Sequence, residues 1–121
     1  MSRTIYIIED DPWQAEQLSR VLRGEHYETK SFTNGVEAVD HLDEDQPAAI
    51  ILDMLLTGTT GVTLLQELQS YGDTGAMPVI LCTSIADDLN LDELAPYGVR
   101  RILDKTAMQP TDVITAVRSV L

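Results

Sequence analysis

Short, almost wholly apolar segments recur along the chain and alternate with segments of helical periodicity. The clearest are residues 4–8, 48–52 and 78–82, and a polar side chain follows each of them. Strands this continuously apolar are typical of a parallel sheet that helices cover on both faces. Because crossovers between parallel strands are right-handed, the alternation predicts a doubly wound α/β fold, a three-layer sandwich of helix, sheet and helix.

The predicted elements follow from this alternation. We expect the first helix to be capped by Asp11, with Pro12 in its first position, Gln14 as capping-box partner and Gly24 at its end. The second strand is polar enough for a sheet edge. The five predicted strands are residues 4–8, 28–32, 48–52, 78–82 and 99–103.

The apolar stripes of the other helices predict which of their side chains face the core. The second helix opens at Asn34 and Gly35 and ends at residues 43–45, the fourth is the weakest and covers residues 87–95, and the last starts at about Thr111. The side chains expected to face inward are Val36, Val39 and Leu42, then Leu64, Leu65 and Leu68, then Leu91 and Leu94, and finally Val113, Ile114, Val117 and Leu121.

Length and charge exclude several classes of protein. The 121 residues support one domain, and 44% hydrophobic with 23% charged residues is the composition of a folded globular chain. The net charge of −12 repels phosphate backbones and anionic lipids, so we expect no direct nucleic-acid binding and no membrane binding. The single cysteine, Cys82, and the lack of a long apolar segment or secretion signal favour a cytoplasmic location.

Polar side chains stand at the predicted carboxyl ends of four strands. Ligands of open parallel sheets bind at this edge, near the point where the strand order reverses. We therefore expect three carboxylates, one hydroxyl and one ammonium to share a crevice. They belong to Glu9 and Asp10 after the first strand, Asp53 after the third, Thr83 after the fourth and Lys105 after the fifth.

These side-chain types predict phosphoryl chemistry. Three carboxylates in one crevice repel one another unless a cation neutralises them, and oxygen ligands alone favour a hard ion such as Mg²⁺. Asp53, at the end of an apolar strand, suits a nucleophile that accepts a phosphoryl group. Lys105 would neutralise the phosphoryl oxygens, and Thr83 would donate a hydrogen bond to one of them.

This arrangement resembles the receiver domain of two-component response regulators. That family has an acidic pair after the first strand, Asp after the third, Ser or Thr after the fourth and Lys after the fifth. The matching residues are Glu9, Asp10, Asp53, Thr83 and Lys105, in the family's order. The resemblance implies a flavodoxin-like (βα)5 fold with a parallel five-stranded sheet of order 2-1-3-4-5, and a single receiver domain over residues 1–121.

The resemblance also implies a role for each site residue. Asp53 would accept a phosphoryl group from a sensor histidine kinase or a histidine phosphotransfer protein, and the chain would catalyse only its own phosphorylation and dephosphorylation. Asp10 and Asp53 would bind Mg²⁺ directly, Glu9 through water, and Leu55 through its backbone carbonyl. Lys105 and Thr83 would bind the phosphoryl oxygens, as their side-chain chemistry already suggests.

Three positions depart from the family's pattern. Thr57 stands where Pro is usual, and Thr106 follows Lys105 where the family has Pro after a cis bond. Without Pro a cis bond costs about 3 kcal/mol, so we expect this loop to run differently. Ile102 stands where an aromatic residue usually turns inward. We therefore expect phosphorylation to act through the Thr83 loop and the helix after it, with Ile102 repacking.

Three apolar residues near the site lead to further expectations. Leu55 and Ile85, two positions beyond Asp53 and Thr83, flank the path of an attacking water, so we expect the phosphorylated state to decay over minutes or longer. Trp13, the single tryptophan, is expected to be half-exposed against the first helical turn. Its fluorescence should then report metal and phosphoryl binding.

Other functions remain open to different degrees. Acidic residues after the first strand disfavour a flavodoxin and a dinucleotide-binding domain, and Leu55 stands where a haloacid-dehalogenase-like phosphatase has a second Asp. The main alternative is a receiver-like docking module that is never phosphorylated. A homodimer through the fourth helix, fifth strand and last helix is an additional possible partner, although the charges there fit no dimer pattern.

Overall fold

The computed structural model describes residues 3–42, 46–53, 61–70, 77–84, 86 and 89–121. Strands and helices alternate along these residues, as the sequence predicts. In chain order they are β1 (Thr4–Ile8), α1 (Pro12–Arg23), β2 (Glu28–Phe32), α2 (Gly35–His41), β3 (Ala49–Leu52), α3 (Gly61–Ser70), β4 (Val79–Thr83), α4 (Leu91–Leu94) with a 3-10 turn (Ala95–Tyr97), β5 (Val99–Asp104) and α5 (Pro110–Val120).

The described strands form one parallel sheet in the order β2-β1-β3-β4-β5. This confirms the predicted fold class and strand order, and it places the polar strand β2 at an edge. Ile8, the last residue of β1, pairs with Phe32 on one side and Leu52 on the other. The strand order reverses between β1 and β3, so the residues after these two strands emerge side by side at the carboxyl edge.

Two apolar cores lie on opposite faces of the sheet. Successive strand residues point to alternate faces, so Ile5 and Ile7 belong to one core while Tyr6 and Ile8 belong to the other. Helices α1 and α5 cover the first face, and α2, α3 and α4 cover the second. Each fully buried Ile or Leu contributes about 1.5–3 kcal/mol to folding, so both helix layers are held by apolar burial.

Helix α1 begins where the sequence predicts. The Asp11 carboxylate accepts hydrogen bonds from the backbone N–H groups of Trp13 and Gln14, and Pro12 takes the first helical position. The Gln14 side chain donates to the Asp11 carboxylate, at 3.3 Å, and this differs from the expected capping box, in which it would bind the Asp11 backbone. Gly24 ends the helix in a right-handed conformation.

The buried stripe of α2 differs from the prediction. Val36 is 69% exposed, whereas Gly35, Ala38 and Leu42 are buried. Gly35 packs so closely on Leu64 of α3 that any side chain there would collide with it. The two helices therefore approach through a glycine, and this rotates Val36 toward solvent.

Helix α4 is shorter than predicted. It starts after Asn90, whose side chain accepts a hydrogen bond from Asp92 N–H, and it gives way to the 3-10 turn before the left-handed Gly98. Leu94 is buried, but Leu91 is 37% exposed at the start of this single turn. Leu121 is also exposed, at 38%, because it follows the last turn of α5. Residues 43–45, where the second helix was expected to end, and residues 87–88, where the fourth was expected to begin, lie outside the described residues.

The loop after β5 contains no cis peptide bond. The bond between Lys105 and Thr106 is trans, like every other bond in the part of the chain that the structure describes. Ile102 is half-buried against the core under α2, α3 and α4. Among the helices of the described ranges, none has the length and the apolar stretch that crossing a membrane requires.

Candidate functional site

Three strands deliver the candidate residues to one edge of the sheet. Glu9 directly follows β1, Asp53 directly follows β3, and Lys105 directly follows β5. Asp53 N–H donates to the Ile8 carbonyl at 3.2 Å, and Glu9 N–H donates to the Phe32 carbonyl at 3.0 Å. The backbone of both acidic residues is therefore held by a neighbouring strand.

Lys105 joins two of the carboxylates. Its ammonium Nζ lies 2.7 Å from Asp53 Oδ2 and 2.9 Å from Glu9 Oε2, and its side chain is 18% exposed. Its backbone N–H donates to the Thr83 carbonyl at 3.0 Å, which fixes the start of the loop after β5. The chain thus brings together three side chains that are separated by dozens of residues in sequence.

The carboxylates form a group that could hold a cation. One oxygen from each of Glu9, Asp10 and Asp53 lies within 4.8 Å of the others. Glu9 and Asp53 are buried, whereas Asp10 is exposed at the mouth of the group. Three carboxylates and a single ammonium leave an excess of negative charge, and an oxygen-only donor set of this kind suits Mg²⁺.

The local electrostatics change the pKa of two groups. Burial raises the pKa of the Glu9 carboxyl above its ordinary 4.5, and Asp53 adds to this, although the hydrogen bond from Lys105 opposes it. Burial by itself lowers the pKa of Lys105, but the hydrogen bonds to Asp53 and Glu9 outweigh it, so the net pKa lies above 10.5. Lys105 therefore stays positively charged at neutral pH.

Thr83 is the last residue of β4, the strand between β3 and β5. It is fully buried and pairs with Asp104, the residue before Lys105. The sheet thus places Thr83 beside both strands that carry Asp53 and Lys105. Its neighbour Cys82 is buried in the core under α1 and α5, where burial raises the pKa of the thiol to about 12.

Several residues named from the sequence lie outside the described residues. They include Leu55, expected to offer a carbonyl to the metal, and Ile85, expected to flank the path of water. Thr57, the first departure from the family's pattern, lies there as well. The expectations for these positions stay predictions.

A cavity beside Lys105 was not anticipated from the sequence. It has a volume of about 480 Å³, and Trp13 at its rim is 70% exposed, which is more than the half-exposed ring that we expected. Two of its lining residues, Ser84 and Thr106, directly follow the predicted site residues Thr83 and Lys105 in sequence, and this could have indicated that they lie near the site. No sequence pattern around Met108 predicts that it lines this cavity. The lining residues are Trp13, Gln14, Ser84, Lys105, Thr106 and Met108.

Comparison with known proteins finds relatives of the chain in both sequence and structure. Residues 5–118 match the family described as response regulator receiver domain. The DNA-binding response regulator MtrA of Mycolicibacterium smegmatis is 32% identical over 110 residues, which cover 91% of this chain and 45% of MtrA. The transcriptional regulatory protein BaeR of Escherichia coli O6:H1 is 26% identical over 117 residues, which cover 97% of this chain and 47% of BaeR. The chain spans about half the length of these relatives.

Solved structures agree at the level of the fold. The response regulator receiver domain (CheY-like) from Methylobacillus flagellatus superposes with a TM-score of 0.85 at 16% sequence identity, and the match covers 100% of both chains. The family match extends over nearly all of the sequence and includes every residue of the acidic group and Lys105. The chain therefore belongs to the response regulator receiver domain family of two-component systems.

Proposed function

We propose that residues 1–121 act as one receiver domain in which Asp53 accepts a phosphoryl group. The observation that carries this proposal is the position of the Lys105 ammonium, 2.7 Å from Asp53 Oδ2 and beside the carboxylate of Glu9. An ammonium at this distance can neutralise the charge that a phosphoryl group brings to the carboxylate. The buried end of β3 keeps the nucleophile in place.

The chemistry requires little of the protein beyond positioning and charge. A carboxylate oxygen of Asp53 attacks phosphorus, while the bond between phosphorus and the donor breaks. Lys105 binds an equatorial phosphoryl oxygen, and Thr83 donates its hydroxyl hydrogen to another. Because Asp53 is consumed and regenerated within the same chain, the domain catalyses only its own phosphorylation and dephosphorylation.

The residues present fit a magnesium ion. Glu9, Asp10 and Asp53 offer three oxygens within 4.8 Å of one another, and the resemblance adds the backbone carbonyl of Leu55. A bound divalent ion supplies positive charge to the phosphoryl oxygens. By the resemblance, Asp10 and Asp53 would hold this ion directly and Glu9 would hold it through water.

The proposed donor is a sensor histidine kinase or a histidine phosphotransfer protein, as the family implies. The proposed response is a change of the surface around α4 and β5. Ile102 packs under that surface without an aromatic ring to rotate, so the position of the Thr83 loop would control its repacking. We also propose that these residues do not bind nucleic acid directly, because their net charge of −12 repels the phosphate backbone.

Intact mass spectrometry after incubation with acetyl phosphate and Mg²⁺ tests this proposal. We expect one phosphoryl addition that hydroxylamine removes, as for an acyl phosphate, and no addition to Asp53→Asn. The matched control is Asp40→Asn, the same chemical change at an exposed position of α2, which should be phosphorylated like the unchanged chain. Following the addition after removal of the donor measures its predicted decay over minutes or longer.

Absence of any addition to the unchanged chain would instead favour the docking module that is never phosphorylated. Beryllofluoride with Mg²⁺ provides an independent readout, because it mimics an acyl phosphate. We expect it to change the fluorescence of Trp13, and we expect no change in Asp53→Asn.

A further inference from the structure

Asp104, the last residue of β5, organises the turn in which Lys105 lies. Its carboxylate accepts two hydrogen bonds from Thr106, one from the backbone N–H at 2.9 Å and one from the side-chain hydroxyl at 2.7 Å. Its backbone carbonyl accepts two more, from Ala107 N–H at 3.1 Å and from Met108 N–H at 2.9 Å. Four hydrogen bonds to one residue therefore fix the course of the chain directly after Lys105.

These contacts hold the backbone of Lys105 on both sides. Its own N–H donates to the Thr83 carbonyl at 3.0 Å, and the Asp104 carboxylate joins the residue before it to the residue after it. Thr106 stands where the family has Pro. A proline has no N–H and no hydroxyl to donate, so both hydrogen bonds to the Asp104 carboxylate depend on this departure from the family's pattern.

The position of this backbone decides where the Lys105 ammonium can reach. Strand β4 separates β5 from β3, and neighbouring strands lie about 4.8 Å apart, so the Lys105 side chain must extend across β4 to Asp53. Its ammonium lies 2.7 Å from Asp53 Oδ2 and, at the same time, 2.9 Å from Glu9 Oε2. A displacement of the Lys105 backbone would therefore lengthen one or both of these contacts.

We propose that Asp104 is a positioning residue for phosphorylation: its carboxylate holds the turn after β5 and so places the Lys105 ammonium against Asp53 and the incoming phosphoryl group. The inference rests on the proposed phosphorylation of Asp53. Asp104 acts on the reaction only through the backbone of Lys105.

The hydrogen bonds of Asp104, and not its charge, carry this role. The Thr106 hydroxyl and N–H hold the pKa of the Asp104 carboxyl below its ordinary 3.8, so it is a carboxylate, a strong acceptor, at neutral pH. Burial lowers the pKa of Lys105, and the acidic groups that raise it are Asp53 and Glu9. Asp104→Asn keeps an oxygen that can accept from Thr106 and loses only the charge. This variant should therefore position Lys105 nearly as well as the unchanged chain does.

The first test measures rates of phosphorylation with acetyl phosphate and Mg²⁺ by intact mass. We expect Asp104→Ala to lower the rate by about threefold to tenfold, part of the roughly hundredfold cost of a misplacement of about 1 Å. Asp104→Asn should restore most of the rate. The matched control is Asp112→Ala, because Asp112 is an exposed aspartate of α5 whose carboxylate accepts a hydrogen bond from Gln109 N–H at 2.8 Å. Its loss should lower stability and leave the rate unchanged.

The second test measures the coupling between Asp104 and Lys105 and does not depend on phosphorylation. The urea midpoints of Asp104→Ala and Asp112→Ala are compared in the unchanged chain and in Lys105→Met. In the unchanged chain, Asp104→Ala loses the turn and also weakens the contacts of Lys105, whereas in Lys105→Met only the turn is left to lose. We therefore expect Asp104→Ala to shift the midpoint less in Lys105→Met. Asp112→Ala should shift it equally in both.

The outcomes separate the positioning role from the proposed function. The inference is wrong if Asp104→Ala is phosphorylated as fast as the unchanged chain, if Asp104→Asn is slowed as much as Asp104→Ala, or if Asp104→Ala shifts the midpoint equally in both backgrounds. If the unchanged chain accepts no phosphoryl group, the proposed function fails. A smaller midpoint shift in Lys105→Met would then still show that Asp104 places the Lys105 ammonium.

Discussion

Lys105 is the residue on which the local charge balance depends. Glu9 and Asp53 are both buried, and removing two carboxylates from water is unfavourable unless a positive group binds them. The Lys105 ammonium binds both, and this is why its own pKa lies above 10.5 although burial opposes its charge. The same contacts on which the proposed phosphorylation depends therefore stabilise the fold.

Substitution Lys105→Met should lower the free energy of unfolding at neutral pH by about 2 kcal/mol, less than for a fully buried pair because the side chain is partly exposed. A folded-state pKa above the unfolded value means that the stabilisation is complete below pH 10.5 and is lost as pH rises through the folded-state value. The difference between the two proteins should therefore shrink in strongly alkaline solution. Urea unfolding at neutral and alkaline pH measures it.

The control for this prediction is Lys30→Met on the edge strand β2, where the lysine is exposed. Its substitution should change the free energy of unfolding little at either pH. A loss in Lys105→Met that persisted unchanged in alkaline solution would show that packing, and not charge, accounts for the effect.

At the scale of elements, Gln69 holds α3 to the start of two strands. Its Nε2 donates to the carbonyls of Met77, at 3.0 Å, and Tyr97, at 2.9 Å, and its Oε1 accepts from Met77 N–H at 2.7 Å. Gly98 adopts a φ of 90° directly against this side chain. The glycine is therefore required both by backbone conformation and by the approach of Gln69.

Gly98→Ala should lower the free energy of unfolding by about 1–3 kcal/mol, because a β-carbon is strained at this φ and would lie 2.7 Å from the Met77 carbonyl oxygen. Gly24→Ala provides the matched control. Gly24 has a φ of −61°, and its nearest neighbours lie 3.4 Å or more from an added β-carbon, so we expect little change. Thermal unfolding of both variants compares them directly, and equal losses would contradict the prediction.

At the scale of the whole molecule, net charge and the site respond differently to ions. The charge of −12 creates a general repulsion that any salt screens, whereas the group of Glu9, Asp10 and Asp53 is the proposed site of a divalent cation. These two effects can be separated because they differ in their dependence on ion type.

MgCl₂ should raise the melting temperature by about 3 °C or more beyond NaCl of equal ionic strength, since an ion that binds only the folded state stabilises it. In Asp53→Asn we expect the extra effect of Mg²⁺ to be reduced and the effect of NaCl to remain. Differential scanning calorimetry in both salts gives the measurement. An equal response to the two salts in the unchanged chain would argue against a specific cation site.

The features of this structure that were predictable are those that depend on residues close together in the sequence. The apolar strands and the capped start of α1 depend on neighbouring residues, and the structure confirms them. The position of Val36 was predicted wrongly, because α2 buries Gly35 and Ala38 instead, with Gly35 packed against Leu64 of α3. The apolar periodicity of one helix does not predict at which small residue a second helix will pack closely against it.

The sequence by itself determined the parallel sheet, its polar edge and the residue types that meet there, because parallel strands all end on one side. Tertiary structure alone decided that one lysine binds both Glu9 and Asp53, and that an exposed indole lines the adjoining cavity. Those contacts join residues far apart in the chain. Their distances follow from strand order and from the packing of helices on the sheet, which no local pattern specifies.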